Sequence, residues 1–258
     1  MESIIYLFNN YSLLLVILLR ISGFMISAPV LNSRNIPAHL KIAFTLILSL
    51  FVFIMVSDSF FSPIININYI FLLISEFLVG IVIGFSANLL FAAIQLAGQS
   101  IDMQMGFGIV NVMDPQSGMQ IPLMGTFKYL LAILVFLLIN GHHFFIQALI
   151  YSYQVVPVNG LSINASFVSM LVDLTTEIFV VAFKIAAPLV GALFITDFVM
   201  GIIARTVPQM NVFLVGMPAK ILSGFFLILL VIPLYVYLLS ALFERSLKDM
   251  LKVLRVLT

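Results

Sequence analysis

The stretch Gly98-Gln-Ser-Ile-Asp-Met-Gln-Met-Gly-Phe-Gly-Ile-Val-Asn-Val-Met-Asp-Pro-Gln-Ser-Gly-Met-Gln-Ile-Pro122 lies between two long apolar runs. It is too polar and glycine-rich for a membrane span, and too apolar and methionine-rich for an ordinary exposed loop. From Ile101 to Ile109 every odd position is apolar, which is an extended, strand-like period. Ile101, Met105 and Ile109 also form a helical stripe, so periodicity leaves both conformations open. In either conformation the apolar side chains need a surface to pack against.

The runs around this stretch set the fold class. The chain has 258 residues, of which 63% are hydrophobic and 8% charged. A soluble domain of this size lacks the interior for that composition, so an all-α integral membrane protein is expected. Continuous apolar runs, rather than alternating ones, argue against a β-barrel. A net charge of +1 gives no basic footprint for nucleic acid. The absence of cysteine excludes disulfides, Fe–S clusters and thiolate chemistry. The N-terminus lacks a basic n-region, and its apolar run continues past Arg20, so it reads as a retained first helix.

Upstream of the stretch, the first run covers about Ile4 to Leu31 and carries Arg20 and Gly23. Arg20 either snorkels to the interface or joins an ion pair inside a bundle. A polar turn with Arg34, Pro37, His39 and Lys41 leads to a run, Ile42 to Val56, that is short for a span. The third run, Tyr69 to Ala97, carries Glu76 and then Gly80 and Gly84 at the spacing that lets a second helix approach closely.

Downstream, Leu123 to Leu138 contains Lys128 and ends at Asn140-Gly-His-His143. Adjacent histidines project to different sides of a helix, and no third ligand stands at metal spacing. Phe144 to Tyr153 is apolar, and the next element is expected to start at a Ser162 or Asn164 cap. It runs to about Ile203, with Asp173, Glu177 and Lys184 on one face and Pro188 as an expected kink. Asp197 and Arg205 pair across two turns only if this helix bends. A break at 205–211 precedes the last run, Val212 to Leu239, which contains Lys220. The tail from Glu244 to Arg255 is basic and amphipathic and reads as a separate surface helix on the cytoplasmic side.

About six spans are counted. An even number of crossings cannot put both the Arg34–Lys41 turn and the basic tail in the cytoplasm, as the positive-inside rule requires. At least one apolar element therefore does not cross normally, and helices buried in protein rather than lipid, within an oligomer, resolve the conflict.

Three blocks resemble the FliR family of flagellar export-apparatus proteins, relatives of which serve virulence-type type III secretion. They are Arg20-Ile-Ser-Gly23 with Ala28-Pro29 and Ile36-Pro37; Ala97-Gly-Gln99 through Asp102-Met-Gln-Met-Gly-Phe-Gly108 to Asp114-Pro-Gln-Ser-Gly118, with Asn140-Gly-His-His143; and Ala187-Pro188, Asp197, Arg205, Pro208-Gln-Met-Asn211 and Gly216-Met-Pro218. The absence of Trp is a departure from the pattern.

The resemblance implies an export gate built with FliP and FliQ into a helical hetero-oligomer of long kinked hairpins, in the bacterial inner membrane within the flagellar basal body. It implies a FliP-like part, about 1–165, holding a plug loop at 98–122, and a FliQ-like hairpin with basic tail, about 166–258. FlhB-like and FlhA-like export proteins, unfolded export substrates and membrane lipid are the further implied partners. The implied plug is Met103, Met105, Gly106, Phe107, Gly108, Ile109, Val110, Val112 and Met113, with Met103, Met105, Phe107, Ile109, Val112 and Met113 expected to face the pore axis. Arg20, Glu76, Lys184, Asp197, Arg205 and Lys220 are expected to be structural charges. No cofactor, metal site or catalytic residue is expected: there is no nucleophile–base pairing or phosphate loop, and Asp114-Pro-Gln-Ser-Gly118 lacks the setting of a nucleophile elbow. The other function class compatible with interrupted helices and internal charges is a small secondary transporter.

Overall fold

The computed structural model describes residues 11–33, 35–56, 69–108, 122–161, 164–207, 209 and 211–257. Among them all regular structure is helical: α1 (Tyr11–Ser27), α2 (Ala38–Val56), α3 (Tyr69–Met105), α4 (Leu123–Leu138), α5 (Gly141–Val155), α6 (Ala165–Thr206) and α7 (Val212–Val256).

Four of these, α2, α3, α6 and α7, are long and apolar enough to cross a membrane, and α4 with α5 reaches that length only as a broken pair. Among the described residues this makes four or five candidate spans against the expected six or so, and the first expected run, about Ile4 to Leu31, begins outside the described residues. Leu123–Leu138 and the apolar run after it are separate short helices, because Asn140 takes a left-handed conformation (φ 57°) between them. Asparagine tolerates that backbone better than most residues. The second run, by contrast, is longer than expected. Pro37 presents its carbonyl to the Leu40 and Lys41 amides, so the helix starts at Ala38 and takes in four more residues than Ile42–Val56.

The three longest helices exceed any bilayer. At about 1.5 Å per residue, α3, α6 and α7 measure roughly 55, 63 and 67 Å, against a hydrocarbon core of about 30 Å. Two expectations change here. The basic tail is not a separate surface helix; α7 runs from Val212 to Val256 through Pro218 and Pro233, since Leu239 to Glu244 contains no breaker. The glycine-rich stretch begins as helix, with α3 continuing past Ala97 to Met105. Of the two possible periods for Ile101–Ile109, the helical one holds through Met105: Ile101 and Met105 are buried while Met103 is exposed.

The chain forms two compact units, each drawing on separated stretches. The first takes α1, α2, α3 to Leu89, α5, α6 to Leu174 and α7 from Glu244. Its core is the crossing of α1 and α3 on glycine. A Cβ on Gly80 would run into the Arg20 carbonyl, and one on Gly23 into the Phe77 carbonyl. The Gly80–Gly84 spacing works as read: only hydrogen at these positions allows backbone-to-backbone approach. In α6, Asn164 is the cap, its Oδ1 accepting the Phe167 amide at 2.8 Å.

The second unit takes the rest of α3, α4, α6 from Thr175 and α7 to Phe243. Phe91, Tyr129, Phe136 and Phe243 pack edge-on or tilted around Phe91, with centroids 5.4–5.8 Å apart. Much of α6 and α7 remains exposed and apolar, including Phe183, Phe194, Phe198, Leu222 and Leu229.

Candidate functional site

The candidate site is the end of α3 and the start of α4, the two described borders of the Gly98–Pro122 stretch. Gly106 ends α3 in a left-handed conformation (φ 92°) that a side chain resists. Its amide reaches the Met103 carbonyl at 3.2 Å and the Phe107 amide reaches the Asp102 carbonyl at 3.0 Å. This pair of bonds is a Schellman cap, which satisfies carbonyls that the terminated helix leaves free.

Asp102, in the same turn, does a second job with its side chain. Its carboxylate accepts the Met124 amide at 2.9 and 3.1 Å and the Gly125 amide at 3.2 Å. These are the free N–H groups of the first turn of α4, where an anion is favoured. The carboxylate is buried, so the bonds are shielded from water. Gly98 lies so close to Gly125 that a Cβ on it would collide with the Gly125 backbone. The two borders are thus held together by a charged cap and a glycine contact. In the sequence Asp102 stands out only as part of the second block, Asp102-Met-Gln-Met-Gly-Phe-Gly108. A cap supplied from 22 residues away leaves no local pattern, although the free α4 N-terminus, preceded by Pro122 with no side-chain cap of its own, pointed to a missing acceptor.

Beyond the cap, four methionines (Met103, Met105, Met200 and Met217) and four glycines (Gly106, Gly108, Gly201 and Gly216) line a cavity of about 600 Å³. Asp197 and Lys220 face the same cavity. Lys220 Nζ lies 2.7 Å from Asp197 Oδ1, and Gln104 Nε2 donates to Asp197 Oδ2 at 2.9 Å. Asp197 therefore pairs with Lys220 on α7, not with Arg205 on its own helix, because adjacent antiparallel elements approach more closely than two turns of one helix do. Of the other expected plug residues, Phe107 meets the Phe225 ring edge-on at 6.4 Å. Met105 packs on Gly224, where a Cβ would come within 2.5 Å of its Cε. Ile109, Val110, Val112 and Met113 lie outside the described residues.

The remaining expected charges divide into a cluster and two outliers. Arg20 is fully buried, so it does not snorkel. Its Nε donates to Glu76 Oε2 at 2.7 Å, its Nη1 to Ser152 Oγ at 3.2 Å and its Nη2 to the Val156 carbonyl at 3.0 Å. The guanidinium also lies 4.1 Å from the Tyr153 ring centroid, and Glu76 Oε1 accepts the Asn159 amide. The cluster ties α1, α3 and the end of α5 together within the first unit. Lys184 and Arg205 are exposed and join neither group.

The arrangement offers a closed loop base, a flexible thioether-lined cavity and internal charges that are mutually compensated. Residues 11–246 match the family of bacterial export proteins, family 1. The chain is 37% identical over 257 residues, 98% of each chain, to the flagellar biosynthetic protein FliR of Bacillus subtilis strain 168. It is 28% identical over 217 residues, 84% of this chain and 83% of the other, to that of Escherichia coli K12. Surface presentation of antigens protein SpaR of Shigella sonnei is 30% identical over 159 residues, 61% of each chain. The three sequence blocks, the helical membrane architecture, the family match over residues 11–246 and the 98% coverage of the Bacillus subtilis relative agree: the chain belongs to family 1 of the bacterial export proteins, the family of FliR.

Proposed function

We propose that this chain is a subunit of the flagellar type III protein export gate, forming with FliP- and FliQ-like chains the closed pore through which unfolded flagellar subunits cross the bacterial inner membrane. The carrying observation is the 37% identity to a flagellar biosynthetic protein across 98% of both chains. The geometry is consistent with it. Helices far longer than a bilayer, with apolar faces left open on α6 and α7, suit a wall completed by neighbouring subunits. FlhB-like and FlhA-like export proteins are the further expected neighbours, in the flagellar basal body.

In this reading residues 106–118 seal the pore. A seal must stop ions and water yet yield to chemically varied polypeptide. Methionine suits that task because it is flexible and repacks against changing surfaces, and apolar constrictions exclude water. The loop base held by Asp102 supplies a fixed hinge for it. Affinity purification from cells tests the subunit assignment: recovery with FliP- and FliQ-like chains supports it, whereas a self-sufficient homo-oligomer that binds a small solute supports a secondary transporter instead.

A further inference from the structure

The start of α2 carries a feature that the gate does not use. From residue 3 to residue 57 the sequence contains no Asp or Glu, while Arg20, Arg34, His39 and Lys41 fall in this interval. Arg20 is consumed by Glu76 in the core. Lys41, in the first turn of α2, has no ion-pair partner among the described residues. It borders a groove of about 400 Å³ whose other walls are apolar, among them Met25, Leu31, Ile36, Phe44 and Ile47. That volume is in the range of small-molecule sites.

The groove lies on an open apolar face. Along α2, Ile42, Ile47, Phe51 and Ile54 are all more than half exposed. The helix is itself a candidate span, and most of it is exposed. Positive charge is therefore confined to one end, at the level where a span meets the headgroups, and hydrocarbon-like surface extends from it. The free amides at the start of α2 add to the positive end. This is the complement of an amphiphile with one anionic head and apolar tails. A protein partner would not require the charge to sit at one end, nor the whole acid-free interval around it.

We propose that the groove between the end of α1 and the start of α2 binds an anionic glycerophospholipid, its phosphate at Lys41 with His39 beside it and an acyl chain along Met25, Phe44 and Ile47. The site is independent of the export reading.

Because the chain has no Trp, Phe44→Trp makes a single fluorophore in the groove wall. The full-length variant, with any chains that co-purify, is reconstituted into dioleoylphosphatidylcholine containing a minor fraction of brominated dioleoylphosphatidylglycerol. The label is then moved to the phosphatidylcholine. Ile54→Trp, exposed toward the far end of α2 with no basic residue within a turn, is the reference. The expected result is roughly fivefold enrichment of phosphatidylglycerol at position 44, the preference that one lysine gives at an anionic surface. Position 54 should follow the bulk fraction. Lys41→Gln should abolish the enrichment and Lys41→Arg retain it. Quenching at position 44 that follows the bulk fraction, that survives Lys41→Gln, or that is absent with both lipids because protein fills the groove would overturn the proposal.

Discussion

The carboxylate of Asp102, three residues before the end of α3, receives the backbone amide of Met124, the second residue of α4, at 2.9 Å. One residue thereby serves two helix ends, its backbone carbonyl accepting the Phe107 amide at the end of α3 and its side chain capping the start of α4. Asp102→Ala leaves the amides of Met124 and Gly125 without an acceptor in a buried setting. A lost cap of this kind costs about 1–2 kcal/mol, and Asn, which keeps an acceptor without the charge, should cost less than half of that. Thermal unfolding of the purified chain in detergent, comparing Asp102→Ala with Asp102→Asn, measures both. Equal stability of wild type and Asp102→Ala would show that the cap is not formed.

The Arg20–Glu76 pair should behave as a buried ion pair in which each guanidinium nitrogen makes a hydrogen bond. Removing either partner strands the other charge, at about 3–5 kcal/mol. Arg20→Met and Glu76→Leu should each sharply reduce the folded chain recovered from membranes. The double variant should recover part of the loss, because the stranded charge is gone. Additive losses would mean that the two side chains act separately.

The glycines divide into contact positions and free positions. Gly80→Ala forces α1 and α3 apart against the Arg20 backbone and should cost about 1–3 kcal/mol as overpacking. Gly191→Ala, in α6 with nothing within 4 Å of its added methyl, should be neutral or stabilising by up to about 1 kcal/mol from helix propensity alone. Midpoints of thermal unfolding for the two variants should therefore move in different directions or differ in size severalfold.

These positions also mark what a sequence discloses. Gly80 and Gly84 could be read because helix contact through small residues has a fixed spacing. Asn164 was one of two capping residues in view. Long-range partners were not legible: Asp102 acts on α4 across the stretch, Glu76 meets Arg20 from 56 residues away, and Asp197 chooses Lys220 over Arg205. Local periodicity carries no information about such pairs. The end of α3 was ambiguous because Ile101–Ile109 satisfies both a period of two and a helical stripe, and only packing of Ile101 and Met105 decides between them. The continuity of the last run with the basic tail was not legible for a similar reason, since a change from apolar to charged composition is not a helix stop.

The Asp197–Lys220 pair is partly solvated, with Asp197 43% and Lys220 20% exposed, so its contribution to stability is small, at most about 1 kcal/mol. Asp197→Asn should therefore leave the unfolding midpoint nearly unchanged. If the cavity next to the loop base serves the gate, the same variant should alter flagellar export, scored as motility on soft agar. Unchanged motility together with unchanged stability would remove the pair from the gate.

Deleting residues 106–118 removes the proposed seal while leaving Asp102 and its cap on α4 in place. Membranes carrying the deleted chain, assembled with its partner chains as verified by co-purification, should become permeable to small solutes, read as passive influx of a membrane-impermeant sugar that depends on the deleted chain. An assembled deletion variant whose membranes stay as tight as wild type, or a deletion that never yields an assembly, would make the segment structural and contradict the seal.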